Sequence, residues 1–250
     1  MKQFIVTTAM GKRLIGKAMA EHPAVRRAAA EGTLVIVAGT TNGYVAQEVL
    51  ASLEQGEEFS PKGFRRGLVV PMHCKDSETV AEFPGDVVIR EGKWLKGKTI
   101  FDVVDDLEAG DVVLKGANAA NFTRGDSAVY IGHPQGGTIG AAITAVVGRR
   151  VQLLVPAGLE KRVFDEISDL VAAVNAPDTE GPRMMQLPGL LFSELDAISL
   201  LTDCDAYLLA GGGVYGAEGC VWIGIDGEED QLAEASKLMK ELADEPPCRV

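Results

Sequence analysis

The chain repeats one unit: a short apolar run, a glycine-bounded turn, then a stretch compatible with helix. Thr33-Leu34-Val35-Ile36-Val37-Ala38 meets Gly39-Thr40-Thr41-Asn42-Gly43, and 44–53 then reads as helix. Val112-Val113-Leu114 meets Lys115-Gly116-Ala117-Asn118-Ala119. Ala128-Val129-Tyr130-Ile131 meets His133-Pro134-Gln135-Gly136-Gly137-Thr138, and the small apolar residues of 137–147 suit a tightly packed helix. Val151-Gln152-Leu153-Leu154-Val155 closes on Pro156. Short apolar runs bounded by turn residues fit buried strands. Their alternation with helices predicts an α/β fold with a mainly parallel, helix-covered sheet. In open sheets of this kind ligands sit at the carboxyl ends of the strands, where the glycine-rich loops fall.

Other segments extend the pattern. Residues 2–7 read as a first strand and 9–30 as a helix interrupted at Pro23. Leu68-Val69-Val70 reads as a short strand, and 86–95 as a hairpin turning at Glu91-Gly92. Thr99 suits a helix cap for a segment ending near Leu107. Val163, Ile167, Leu170 and Val174 give 159–174 an amphipathic helical period. Residues 175–183, rich in Pro, Asp, Gly and Glu, read as a linker. Beyond it the order strand, helix, strand, strand, helix predicts a small α/β, ferredoxin-like unit. The expected division is an α/β ligand-binding domain at 1–182 and a small unit at 183–250.

Charge narrows the partners. A formal net charge of −12 opposes binding to a phosphate backbone, which needs clustered Lys and Arg. It equally opposes an anionic membrane surface, and no apolar run reaches the ~20 residues that span a bilayer. Cys74, Cys204, Cys220 and Cys248 form no C-x-x-C pair, so reduced thiols in a cytoplasmic protein are expected, with no metal or cofactor. The expected partner is a small anionic metabolite, together with further copies of the chain in a homo-oligomer.

The candidate site lies in the loops. At Gly39, Thr40, Thr41, Asn42 and Gly43 a helix start offers unpaired N–H groups to an anion, and two hydroxyls stand beside them. The alternative is an ordinary turn whose Thr or Asn caps the helix. Gly136, Gly137 and Thr138 repeat the arrangement, with His133 as an acid, base or anchor, or simply a turn residue. Lys115, at a strand end beside Gly116, suits an anionic substrate, and Asn118 supplies a second donor. His73 beside Cys74 suggests thiol chemistry but has no third group. Gly211 to Gly219 reads as a flexible loop, or as a lid.

Taken together these residues resemble the superfamily of ribose-5-phosphate isomerase, glucosamine-6-phosphate deaminase, the CoA transferases and sugar-phosphate-responsive repressor domains. Ala38 to Gly43 resembles its first phosphate loop. Asp102-Val103-Val104-Asp105-Asp106, running on to Val112 through Ala119, resembles the isomerase's acidic motif and Lys-Gly-Gly-Gly loop. Val155 to Lys161 falls where the family places a phosphate-holding lysine, which would be Lys161. Departures accompany the likeness: Val103 stands for a glycine, Arg124-Gly125-Asp126 stands where the isomerase has its glutamate, and the transferase nucleophile has no clear counterpart. The resemblance implies proton transfer next to a carbonyl, with Lys115 stabilising the oxyanion and Asp105 or Asp126 moving the proton. A non-catalytic sensor and a CoA-transferase-like protein stand as alternatives.

Overall fold

The computed structural model describes residues 1–66, 69 and 85–247. The His73-Cys74 pair, Cys248 and all but Val69 of the expected 68–70 strand lie outside them. The chain runs β1 (Lys2–Val6), α1 (Thr8–Glu21), α2 (Pro23–Glu31), β2 (Thr33–Ile36), α3 (Thr40–Ser52), β3 (Val87–Arg90) and β4 (Lys93–Trp94). It continues through α4 (Ile100–Val103), β5 (Val112–Leu114), β6 (Ala119–Asn121), β7 (Asp126–Ile131), α5 (Gly137–Arg149), β8 (Gln152–Pro156) and α6 (Ile167–Val174). It ends with β9 (Arg183–Leu187), β10 (Leu190–Phe192), α7 (Glu194–Thr202), β11 (Asp205–Gly211), β12 (Val221–Asp226) and α8 (Glu229–Leu242).

The fold is α/β, centred on a mixed sheet of six strands in the order β10-β8-β5-β2-β3-β4. β10, β8, β5 and β2 run parallel, β3 runs antiparallel to β2, and β4 antiparallel to β3. Side chains alternate across it with the period of two that a pleated strand imposes. Leu34, Ile36, Val112 and Leu114 enter the core under α1, α3 and α7. Val35, Val37 and Val113 enter the opposite core under α4 and α5. Burial on both faces explains why these runs are continuously apolar rather than alternating.

Two flanking three-stranded sheets, β1-β12-β11 and β6-β7-β9, are antiparallel. They correct the expected C-terminal unit. Residues 183–247 are dealt out among all three sheets: β9 pairs with β7, β10 with β8, and β12 with β1. The expected 182/183 boundary is therefore crossed by every sheet. The segment read as a linker is anchored, since Asn175 Nδ2 donates to the Met184 carbonyl (2.8 Å) and Met184 N–H donates back to Asn175 Oδ1 (2.9 Å). The helix expected over 159–174 is likewise shortened to a 3-10 turn, Leu159–Lys161, and α6. Between them Val163 N–H bonds the Ala120 carbonyl, which draws the chain out alongside β6.

Local signals that needed no distant partner hold. The helix breaks at Pro23, which starts α2. The β3–β4 hairpin turns through Glu91 (φ 49) and Gly92 (φ 77), the left-handed pair that a tight hairpin demands. Thr99 and Asp102 form a capping box on α4.

Candidate functional site

β2 and β5 end side by side at the carboxyl edge of the sheet. Beyond β2 the chain turns at Gly39 into α3, and no side chain caps that helix. Its first closed hydrogen bond runs from Gly43 N–H to the Gly39 carbonyl (2.8 Å), which leaves the N–H groups of Thr40, Thr41 and Asn42 without helical acceptors. Asn42 does not cap the helix. Its Nδ2 donates to the Val37 carbonyl (2.8 Å) and the Leu114 carbonyl (3.0 Å), tying the two strand ends together. This pins Lys115, the next residue after β5, at the rim of the sheet.

The opposite wall is the β7–α5 connection. Gly136 (φ 83) and Gly137 (φ 59) take left-handed backbone, a conformation glycine adopts without penalty. Gln135 N–H donates to His133 Nδ1 (3.2 Å), and Gly136 N–H to the His133 carbonyl (3.0 Å). α5 also starts without a side-chain cap. Asn118 braces this wall: its Oδ1 accepts the Tyr130 N–H (3.0 Å).

Between these walls lies a cleft of about 1590 Å3. Thr40, Thr41, Asn42, Lys115, Gly116, Asn118, His133, Gly136, Gly137, Thr138 and Lys161 all line it, with Gly39 beside them. Arg66 joins Lys115 and Lys161 as a third cation. Among the described residues the lining contains no Asp or Glu, although the chain carries 36 of them. Burial lowers the Lys115 ammonium to about 8, with the Asp86 carboxylate opposing that shift and the Arg66 guanidinium adding to it.

Asp86 is the residue that sequence reasoning missed. It is fully buried. Its Oδ1 accepts the Ala38 N–H (2.9 Å) and Arg66 Nη2 (2.8 Å), and its Oδ2 accepts the Ile100 N–H at the start of α4 (2.8 Å). One carboxylate thus holds the approach to α3, a cleft cation and another helix start. Nothing in the local pattern marks it, because its partners lie 14 to 48 residues away. A second missed cluster sits at the carboxyl ends of β8 and β10. There Lys12 pairs with Glu160 at 3.0 Å, and buried Glu194 accepts the Leu159 N–H at 2.9 Å. Burial raises Glu194 to about 8, helped by the Glu160 charge.

Three expected site residues stand elsewhere. Asp105 is exposed in the 3-10 turn after α4 and does not line the cleft. Asp126 opens β7, whereas the cleft lining on that strand begins at Val129, about 10 Å further along at ~3.3 Å per residue. Gly43 is buried against Pro61, where a Cβ would sit 3.3 Å from the proline Cβ, so its smallness serves packing. Asp102 is occupied as the capping carboxylate of Thr99, whose hydroxyl and N–H both donate to it at 2.7 Å.

No family model, curated protein or solved structure matches the chain.

Proposed function

We propose that the cleft binds a small phosphorylated or carboxylated metabolite. The observation that carries this is that, among the described residues, the cleft lining of so acidic a chain holds three cations and no Asp or Glu. Two uncapped helix starts reinforce the cations, because each presents unpaired N–H groups and the positive end of a helix dipole. The mainly parallel arrangement around the site, and kinship with the sugar-phosphate isomerase superfamily, belong to this reading. Both draw support from a ligand crevice at the carboxyl ends of parallel strands.

Catalysis by the isomerase scheme draws less support. Its proton carriers, Asp105 and Asp126, stand outside the cleft, which leaves His133 and Lys115 as candidate proton carriers among the described lining residues. The absence of a glutamate from the lining among the described residues likewise favours binding or sensing over a transferase with a carboxylate nucleophile. Thermal melts with inorganic phosphate, pentose and hexose phosphates, 2-oxo acids and acyl-CoAs test the proposal. A bound anion at 100 times its Kd stabilises the fold by about 2.7 kcal/mol, an effect expected to weaken in Lys115→Ala and Lys161→Ala. Melts indifferent to every anion would reject it.

A further inference from the structure

Lys115 differs from Arg66 among the cations of the cleft. Arg66 is spent on Asp86 at 2.8 Å. Asp86, the carboxylate nearest in influence to Lys115, has its two oxygens taken up by Arg66 and two backbone N–H groups. No hydrogen bond or ion pair holds the Lys115 Nζ among the described residues. Its backbone is nevertheless fixed: Lys115 N–H donates to the Leu154 carbonyl of the neighbouring strand (3.1 Å), at the centre of the parallel sheet. A rigidly mounted, half-buried amine with no partner of its own faces a cleft that two helix starts and Lys161 make attractive to anions. A residue serving only to hold an anion gains nothing from desolvation beside another cation, since both disfavour its charge. A nucleophilic lysine gains from both, because the neutral amine is the reactive form.

We propose that Lys115 condenses with the carbonyl group of a small anionic substrate, a 2-oxo acid or a phosphorylated aldehyde or ketone, to form a covalent imine. The proposal rests on the cleft being an anion site, which places the phosphate or carboxylate at the helix starts and leaves the carbonyl carbon for Nζ. The neutral amine adds to that carbon, the C–N bond forms, and the carbonyl oxygen takes up a proton to become a hydroxyl. The nitrogen then gives up a proton and regains its lone pair, and the hydroxyl leaves as water with that proton as the lone pair closes the C=N bond. The sum is ammonium plus carbonyl giving protonated imine plus one water, with no redox partner. With its ammonium lowered to about 8, roughly a quarter of Lys115 is neutral at pH 7.5, against about 0.1 % of an ordinary lysine.

The test is reductive trapping. The full chain is incubated separately with pyruvate, 2-oxoglutarate, glyceraldehyde 3-phosphate, dihydroxyacetone phosphate and ribose 5-phosphate, then treated with borohydride and read by intact mass and peptide mapping. The expected result is one equivalent of adduct on Lys115 with at least one compound. Trapping should be suppressed at least tenfold by excess inorganic phosphate, should rise between pH 7 and 9, and should be lost in Lys115→Arg as well as Lys115→Ala. The arginine variant keeps a cation in place and guards against loss of fold. Adduct spread over surface lysines, unchanged in both variants, overturns the imine. So does an absence of adduct from compounds that raise the melting temperature, while that result leaves the anion site standing. Absence of both adduct and any anion-dependent shift overturns the imine and the binding proposal together.

Discussion

Single residues at the carboxyl edge of the sheet are charged where the fold would prefer them neutral. Lys115 is lowered to about 8 chiefly by burial, so its protonated form costs stability. Unfolded, the amine titrates near 10.5; between about 8 and 10.5 the unfolded chain therefore binds more protons, and native stability rises with pH across that window. Each pKa unit corresponds to about 1.4 kcal/mol, so Lys115→Met is expected to stabilise the protein by about 1–3 kcal/mol at pH 7, with the advantage closing by pH 10. Urea unfolding at the two pH values checks this, and a less stable Lys115→Met at pH 7 would show that the amine has a partner. Glu194 carries the opposite sign. Its folded value of about 8 exceeds the ordinary carboxyl value near 4.5, so its contribution is complete below about 4.5 and is lost as pH rises through 8. Glu194→Gln is expected to flatten the pH 5–8 stability profile by on the order of 2 kcal/mol, with the Lys12–Glu160 pair intact. An unchanged slope would assign the pH dependence to other groups.

Among elements, the starts of α3 and α5 do most to shape the cleft, and they were partly legible. Both glycine turns and both helices follow from local composition. The packing that fixes the second turn does not. A Cβ at Gly140 would stand 2.6 Å from the Gln135 carbonyl oxygen, a backbone atom that moves only if the turn moves. Gly140→Ala is therefore expected to displace the 133–137 turn and to weaken anion binding at least tenfold in calorimetry, while circular dichroism stays unchanged. Retained affinity would mean that this turn does not touch the ligand. Strand identities were read from apolar runs, but strand partners were not. Nothing near Lys2–Val6 signals pairing with Val221–Asp226, and β6 and β10 are too short to show a period. Asp126 was misplaced for the same reason: the sequence places it near the lysine loop, whereas the β6–β7 hairpin carries it to the far end.

At the scale of the whole molecule, the sheet β1-β12-β11 leaves one face uncovered. Ile5 and Trp222 are register partners, 51 % and 40 % exposed, and Tyr207 and Leu209 extend the same face at 46 % and 43 %. Leu209 and the Met1 side chain lie over Gly224. β11 is an edge strand of seven residues without Lys or Pro, the residues that usually protect such edges. Paired antiparallel with its own copy about a two-fold axis, it would complete both hydrogen-bond ladders at once. A stable interface draws about 800 Å2 from each partner. Sedimentation at micromolar concentration is expected to show a dimer that Leu209→Lys converts to a folded monomer; a monomeric wild type would reject the arrangement. Among the described residues no helix is long and apolar enough to cross a membrane.

The pairing of β1 with β12 also sets an order of events during synthesis. Among the described residues, β1 (Lys2–Val6) has β12 (Val221–Asp226), far along the chain, as its sheet partner. At roughly 5–20 residues per second a ribosome needs tens of seconds to supply that partner. Until then Val6 has no sheet to join, while the parallel strands β2, β5 and β8 already have one another. The described cleft lining is thus made before Val221, and the outer sheet cannot close until β12 is made. A nascent chain halted before Val221 would carry the cleft loops but lack the partner of β1.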